Sequence, residues 1–248
     1  RAVAKSPLKS EEPLNGARRL DEHPNVPRTA SEIARDALAV TKEGAVVVHV
    51  HAFDDDGEET LSAGPNAAVV EAIRALVSQA SISLTTRDGL APSAKAKLEA
   101  IAKWTALPDL VTANQGEEDI AAVCELLISR GVGIEAGLLA VEDAEVFARS
   151  GIATRCVRVL LEPLDANADE AVEHAKEMET ILERAEIDLP RVYHGDGIAS
   201  WAVNRYGATR GHGVRTGIED TPVLPDGRLA RDNAELVRFA RELLSPRH

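Results

Sequence analysis

Seven times along this chain, with a weaker eighth near its start, a short apolar run is followed by a stretch whose apolar residues recur every three or four positions. That rhythm constrains the fold more than any other feature. Short apolar runs read as strands buried on both faces, and the 3.6-residue period reads as helices with one buried stripe. Strands separated each time by a helix run parallel, because a helical crossover carries the chain back to the same end of the sheet. Strands are predicted over 11–16 (weak), 46–50, 82–85, 110–112, 132–135, 157–161, 191–194 and 212–218. Helices are predicted from Thr29, over 66–79, after Pro92, and over 117–130, 141–149, 167–186, 198–206 and 231–244. Thr29-Ala30-Ser31-Glu32 has the spacing of a capping box. Eight βα units in 248 residues fit a TIM (β/α)8 barrel. An open doubly wound sheet competes, but the Gly-x-Gly-x-x-Gly that commonly follows its first strand is missing. With no Pro/Ser/Gly-rich linker, a single domain over 1–248 is expected, residues 1–13 forming an irregular N-terminal segment.

Composition excludes some functions. A net charge of −13 leaves no basic surface to displace counterions from nucleic acid, and 3% aromatics leaves few stacking platforms for bases. An anionic small substrate needs only a local Arg or Lys and stays open. No run has the length of a membrane span and no secretory leader is visible, so a cytoplasmic protein without membrane contact is expected. Cys124 and Cys156 lie in apolar surroundings without a Cys-x-x-Cys and read as buried reduced thiols. His23, beside a proline, and His174, on an acidic helix, read as surface residues. Trp104 and Trp201 read as packing residues.

In a barrel the chemistry gathers at the C-terminal ends of the strands. His49 and His51 are two apart in the strand Val46–Val50 and its exit, so they share a face and supply half a metal site; two ordinary histidines is the competing reading. Arg215-Thr216-Gly217-Ile218-Glu219-Asp220 brings a guanidinium and two adjacent carboxylates to the mouth beside the histidine strand. Glu219 can thereby complete a His₂Glu set of the catalytic-zinc type; Arg215 and Asp220 can equally form an ion pair that anchors the loop. Asp54-Asp55-Asp56-Gly57 lacks EF-hand spacing and reads as a solvated turn. His194-Gly195-Asp196-Gly197 reads either as an anion-binding backbone nest or as a tight turn.

Several segments resemble one family. Leu14-Asn15-Gly16-Ala17-Arg18, His23-Pro24-Asn25-Val26-Pro27, Val48-His49-Val50-His51 and Val132-Gly133-Ile134-Glu135-Ala136-Gly137-Leu138 are similar to the β-keto acid cleavage enzymes, of the 3-keto-5-aminohexanoate cleavage type. So are His194-Gly195-Asp196-Gly197, Gly217-Ile218-Glu219-Asp220-Thr221, Leu224-Pro225-Asp226-Gly227-Arg228 and Asp232-Asn233-Ala234-Glu235-Leu236. The resemblance implies a TIM barrel holding Zn2+ through His49, His51 and Glu219, in a homo-oligomer (dimer or tetramer). It implies a reaction joining a β-keto acid to acetyl-CoA, followed by retro-Claisen cleavage to acetoacetate and a new acyl-CoA. Asp220 would be the base, taking the α-proton of acetyl-CoA, with Arg215 as its partner. Thr85, Thr112, Asn114 and Glu135 match substrate-pocket positions. Arg18 and Arg87 depart from the family pattern and together point to an anionic or strongly polar substrate tail. Two readings compete: a metal-dependent aldolase or hydrolase of keto acids without CoA, and a catalytically idle metal-binding barrel.

Overall fold

Helix boundaries follow side-chain chemistry written in the chain. Thr29 Oγ1 accepts the backbone N–H of Glu32 while Glu32 Oε2 accepts that of Thr29, so the capping box forms as expected. Asn167, Ser93 and Asp232 cap later helices in the same manner, each cap being worth about 1 kcal/mol. The computed structural model describes residues 10–245. Elements follow in the order β1 (Ser10–Pro13), α1 (Ala30–Glu43), β2 (Val47–Val50), α2 (Ala63–Leu76), β3 (Ser81–Thr85), α3 (Ala94–Ala102), β4 (Leu110–Asn114) and α4 (Ile120–Ser129). The second half continues with β5 (Gly133–Leu138), α5 (Val141–Ser150), β6 (Arg158–Leu161), α6 (Ala168–Arg184), β7 (Arg191–Tyr193), α7 (Ser200–Thr209), β8 (Gly213–Arg215) and α8 (Asn233–Leu244).

This is an α/β architecture on a parallel sheet. The strands pair in sequence order, and β1 pairs with β8 (Glu11 opposite Arg215) as well as with β2 (Glu11 opposite Val47), so the sheet curls until its first and last strands meet. Alternation along each strand then decides what faces where. Val48, Val50, Ile82, Leu84, Val111, Ile134 and Val159 join the apolar core with helix residues such as Ile33, Val70 and Leu182. The other face carries charge. Arg158 on β6 reaches Glu11 on β1, at 2.6 Å, although those strands are not neighbours in the sheet, so the contact crosses the interior of the curl.

Some expectations needed revision. Residues 1–9 of the expected irregular segment lie outside the described residues, while 10–13 form β1. The run 212–218 is strand only over Gly213–Arg215; beyond it Ile218 is buried in a turn, its N–H held by Asn233 Oδ1 at 2.7 Å. His23 is fully buried, because Ala230 O at 2.8 Å and the N–H of Asn25 satisfy its two ring nitrogens. His174 is half-exposed beside Asp165, as expected. Trp104 and Trp201 are buried, each donating its indole N–H to a backbone carbonyl. Cys124 and Cys156 are buried free thiols, pushed up to about 11 and about 12 by burial. Among the described residues no helix is long and apolar enough to cross a membrane.

Candidate metal centre and active site

Strand β2 delivers His49 and His51 to one point: their Nε2 atoms are 3.2 Å apart and both side chains are buried. Glu219 Oε1 lies 3.5 Å from His51 Nε2 and 3.9 Å from His49 Nε2. Ligands on one tetrahedral zinc with bonds of about 2.0–2.1 Å stand roughly 3.4 Å from each other, close to these separations. Groups behind the rings fix which nitrogen faces inward. Ser83 Oγ donates a short hydrogen bond to Glu135 Oε2, so His49 Nδ1, 3.1 Å away, is the donor to Ser83 and its Nε2 carries a lone pair. His51 Nδ1 lies 3.3 Å from Glu59 Oε2, the carboxylate–histidine arrangement that backs metal-bound imidazoles. Two such nitrogens facing each other need a cation between them, a proton or a metal ion. Glu219 Oε2 is buried without a hydrogen-bond partner among the described residues. The donor set fits a divalent ion of the zinc type.

Charge around the site points the same way. Burial, then the neighbouring Arg215 and His51, hold His49 well below the usual histidine range, so its imidazole is neutral. Burial also works against a charge on His51, yet Glu219 and Glu59 outweigh it and push it up to about 9, a measure of how strongly this pocket attracts positive charge. Burial opposes ionisation of Glu219 and Asp220 too; His51 and Arg215 outweigh it for the first, Arg215 and His194 for the second, and both stay ionised.

Local backbone chemistry makes the convergence possible. Asn15 Oδ1 accepts the N–H of His51 (2.9 Å) and its amide donates to His51 O (3.0 Å), fixing the strand exit. Gly16, at φ +51°, lets Glu219 lie against the backbone: a Cβ there would stand 2.3 Å from Glu219 Cγ. Arg18 donates to the carbonyls of Ile218 (3.1 Å) and Glu219 (2.9 Å). Arg215 binds Glu219 Oε1 at 2.7 Å and both oxygens of Asp220 at 3.2 and 3.3 Å, so metal-type carboxylate and candidate base hang from one guanidinium.

The remaining sequence candidates divide. Thr112 Oγ1 sits 3.3 Å from His49 Nδ1, and Thr85, its register partner, accepts the N–H of Arg87. Asn114 donates to Glu117 at 2.9 Å. Glu135 lies behind the site, fully buried, gripping Arg158 at 2.6 Å as well as Ser83. Arg87 holds Glu59 through Nε at 2.9 Å, and Arg18 also pairs with Glu22. Both guanidiniums therefore bind the protein's own carboxylates and carbonyls. In the His194–Gly197 segment, the N–H of Gly195 is 3.2 Å from Ser200 Oγ and that of Gly197 is 2.8 Å from Asp220 O, so both amides are taken up by the protein itself.

Sequence reasoning passed over Glu59, Ser83, Glu11 and Arg158, and placed Glu162 and His194 at strand ends without assigning either side chain a role. A charge inside an apolar strand, as in Val157-Arg158-Val159, was a usable signal for Arg158. Glu59 offered none: its place beside His51 comes from the hairpin closed by the Phe53–Glu59 bridge around the exposed Asp54–Gly57 turn. Among the described residues two other trios have metal-like spacing: in Glu11/His49/Glu135 Arg158 binds both carboxylates, and in Glu162/His194/Asp220 Arg215 binds Asp220 while Glu162 faces His194.

Known proteins are similar to this chain in sequence or in fold. A protein from Fusobacterium nucleatum named 3-keto-5-aminohexanoate cleavage enzyme is 30% identical over 250 residues, covering 92% of this chain and 89% of its own length. A solved structure of ObcA in binary complex with oxaloacetate is similar in fold, with a TM-score of 0.71 at 18% identity, covering 88% of this chain and 63% of that one. A ternary complex of ObcA with a C4-CoA adduct and oxalate gives a TM-score of 0.70 at 16% identity over the same shares. This chain thus spans less than two thirds of the ObcA chain's length. A family model described as beta-keto acid cleavage enzyme matches residues 13–247, nearly the whole chain, and the protein belongs to the β-keto acid cleavage enzyme family.

Proposed function

We propose that this protein exchanges the acyl part of a β-keto acid with acetyl-CoA, releasing acetoacetate and a new acyl-CoA, on a TIM (β/α)8 barrel that binds zinc through His49, His51 and Glu219. The observation that carries the reading is the meeting of two imidazole nitrogens and a carboxylate oxygen, all within 4.8 Å of each other, beside the Arg215–Asp220 pair. The name of the Fusobacterium relative supports the substrate class, and the oxaloacetate and CoA-adduct complexes of ObcA support a keto acid and a CoA thioester as partners. We take the chain as one domain; α8 ties back to α1 through Arg238–Glu43 and Asn233–Asp36.

Carbon balance revises one step expected from the resemblance. Acetoacetate contains the acetyl group plus the two-carbon carboxylate end of the keto acid. The new bond therefore joins the acetyl carbonyl carbon to the keto acid's α-carbon, and the proton removed first is the one on that carbon, not on acetyl-CoA. Asp220, ionised and buried, is the base, and Arg215 aims its carboxylate. The α-carbanion attacks the thioester and expels CoA thiolate. The thiolate then adds to the original keto carbon, the bond between that carbon and the α-carbon breaks, and the α-carbon takes back the proton held on Asp220. No proton is gained or lost. When bound, the zinc ion polarises the keto and carboxylate oxygens of the substrate. Thr85, Thr112 and Asn114 border the substrate, Glu135 stiffens His49 from behind, and Arg18 and Arg87 hold Glu219 and Glu59 rather than the substrate's tail.

The test is a panel of β-keto acids with acetyl-CoA labelled at the acetyl carbonyl, products followed by mass spectrometry. Label should enter acetoacetate and not the new acyl-CoA. Asp220→Asn should abolish turnover while zinc stays bound. Turnover with acetyl-CoA omitted would favour an aldolase or hydrolase, and no turnover of any member would leave only a metal-binding barrel.

A further inference from the structure

His194 has no role in the steps above, although it is fully buried between two carboxylates. Its Nδ1 lies 3.4 Å from Asp220 Oδ2 and its Nε2 lies 3.5 Å from Glu162 Oε2. Glu162, His194 and Asp220 follow β6, β7 and β8, so three consecutive strand ends deliver this row. The exposures are graded: the Glu162 side chain is 18% exposed, while His194 and Asp220 are 0% and 1%. Oδ2 of Asp220 has Arg215 Nε at 3.3 Å on one side and His194 Nδ1 on the other, and the turn carrying His194 also donates the N–H of Gly197 to Asp220 O. Arg215 holds both Asp220 oxygens from one side; the His194 imidazole, whose ring nitrogens complete no hydrogen bond among the described residues, lies in ion-pair contact on another side and limits the tilt of the carboxylate.

We propose that His194 is the positioning residue for Asp220, with Glu162 orienting the imidazole so that Nδ1 faces the base. This rests on Asp220 being the base of the reaction proposed above. Its role is geometric: His194 aims the carboxylate at the keto acid's α-carbon and does not touch the substrate.

Two substitutions separate that role from mere packing. An Asn side chain places its amide near the position of Nδ1, and a Gln side chain near that of Nε2. His194→Ala should lower kcat by about 100-fold, the typical effect of a misplacement of roughly 1 Å, with KM for the keto acid changed less than about threefold. His194→Asn should recover about tenfold or more of that loss, and His194→Gln should not. Glu162→Gln should cost less than His194→Ala. The same order should hold for α-proton exchange of the keto acid in D2O without acetyl-CoA, read by NMR above the uncatalysed rate, which isolates the step assigned to Asp220. Zinc content and Tm confirm that each variant is folded, and the Asn/Gln comparison stands if the Ala variant is not. The proposal is overturned if His194→Ala keeps kcat within about threefold, if Gln rescues better than Asn, or if the loss lies in KM alone. Absence of acetoacetate formation by the unsubstituted enzyme would instead remove the underlying reading, and this proposal with it.

Discussion

Gly16→Ala tests whether the backbone of the β1–α1 loop was shaped to admit Glu219. At φ +51° a non-glycine residue costs about 1–2 kcal/mol, which any such position would show. The added methyl would also stand 2.3 Å from Glu219 Cγ and 2.7 Å from Cδ, where ordinary carbon contacts need about 3.5–4.0 Å. Glu219 must then retreat by about 1 Å or more, half the length of a zinc–oxygen bond of roughly 2.0–2.2 Å. Disturbing a ligand's support typically costs 10–100-fold in metal affinity, about 1.4–2.7 kcal/mol. Competition titration against a chromogenic chelator measures the affinity, and thermal melts with and without metal measure the backbone cost. Gly151→Ala is the control: φ is +73° at the end of α5, but nothing lies within 4 Å of the added Cβ. It should lose stability without losing metal. If Gly16→Ala binds zinc within about twofold of the parent, Glu219 does not hold the ion from this position.

Glu59→Ala removes the carboxylate behind His51 and should weaken zinc binding by about 10–100-fold by the same titration, whereas a loss below about twofold would show that His51 needs no support. Arg158→Met strands Glu11 and Glu135 in the interior and should destabilise the fold by about 3–5 kcal/mol in urea unfolding at neutral pH; an unchanged midpoint would contradict the pairing. Burial is the main cause raising Asp36 from its usual 3.8 to about 6, so the folded protein keeps a proton that the unfolded chain has lost between those values. Stability therefore falls as pH rises through that window, and the full cost is present above about pH 6. The ceiling is about 3 kcal/mol, which partial exposure reduces to about 1–2 kcal/mol. Asp36→Asn should accordingly raise Tm at pH 7–8 and leave it nearly unchanged at about pH 4; a gain of equal size at both would refute the charge argument.

Periodicity made the alternating architecture legible, along with the His49/His51 face and the arrival of Glu219 at the same mouth, because these depend on local spacing and on which strand ends lie together. Contacts across the interior of the sheet were not legible. Arg158 and Glu11 are separated by 147 positions and by non-neighbouring strands, and nothing local announces that they meet. The strand expected to be buried on both faces is so, with its two faces unlike: Val48 and Val50 pack under helices while His49 faces polar groups. Loop geometry was equally hidden. His23 looked exposed beside Pro24, yet the carbonyl of Ala230, 207 positions away, buries it, and the hairpin after β2 turns Glu59 back onto His51. Arg18 and Arg87 were read as free charges for a ligand because sequence shows a residue's type and not the partner that its own loop supplies.

X-ray absorption at the zinc edge of the metal-loaded protein, together with zinc counted per chain, bears most directly on the claim that His49, His51 and Glu219 share one ion. The account predicts one zinc per chain with two imidazole nitrogens and a carboxylate oxygen at about 2.0–2.2 Å. One imidazole signature should vanish in each of His49→Ala and His51→Ala, and none in Asp220→Asn. A spectrum with sulfur ligands, or one imidazole signature unchanged after either histidine is replaced, would contradict it.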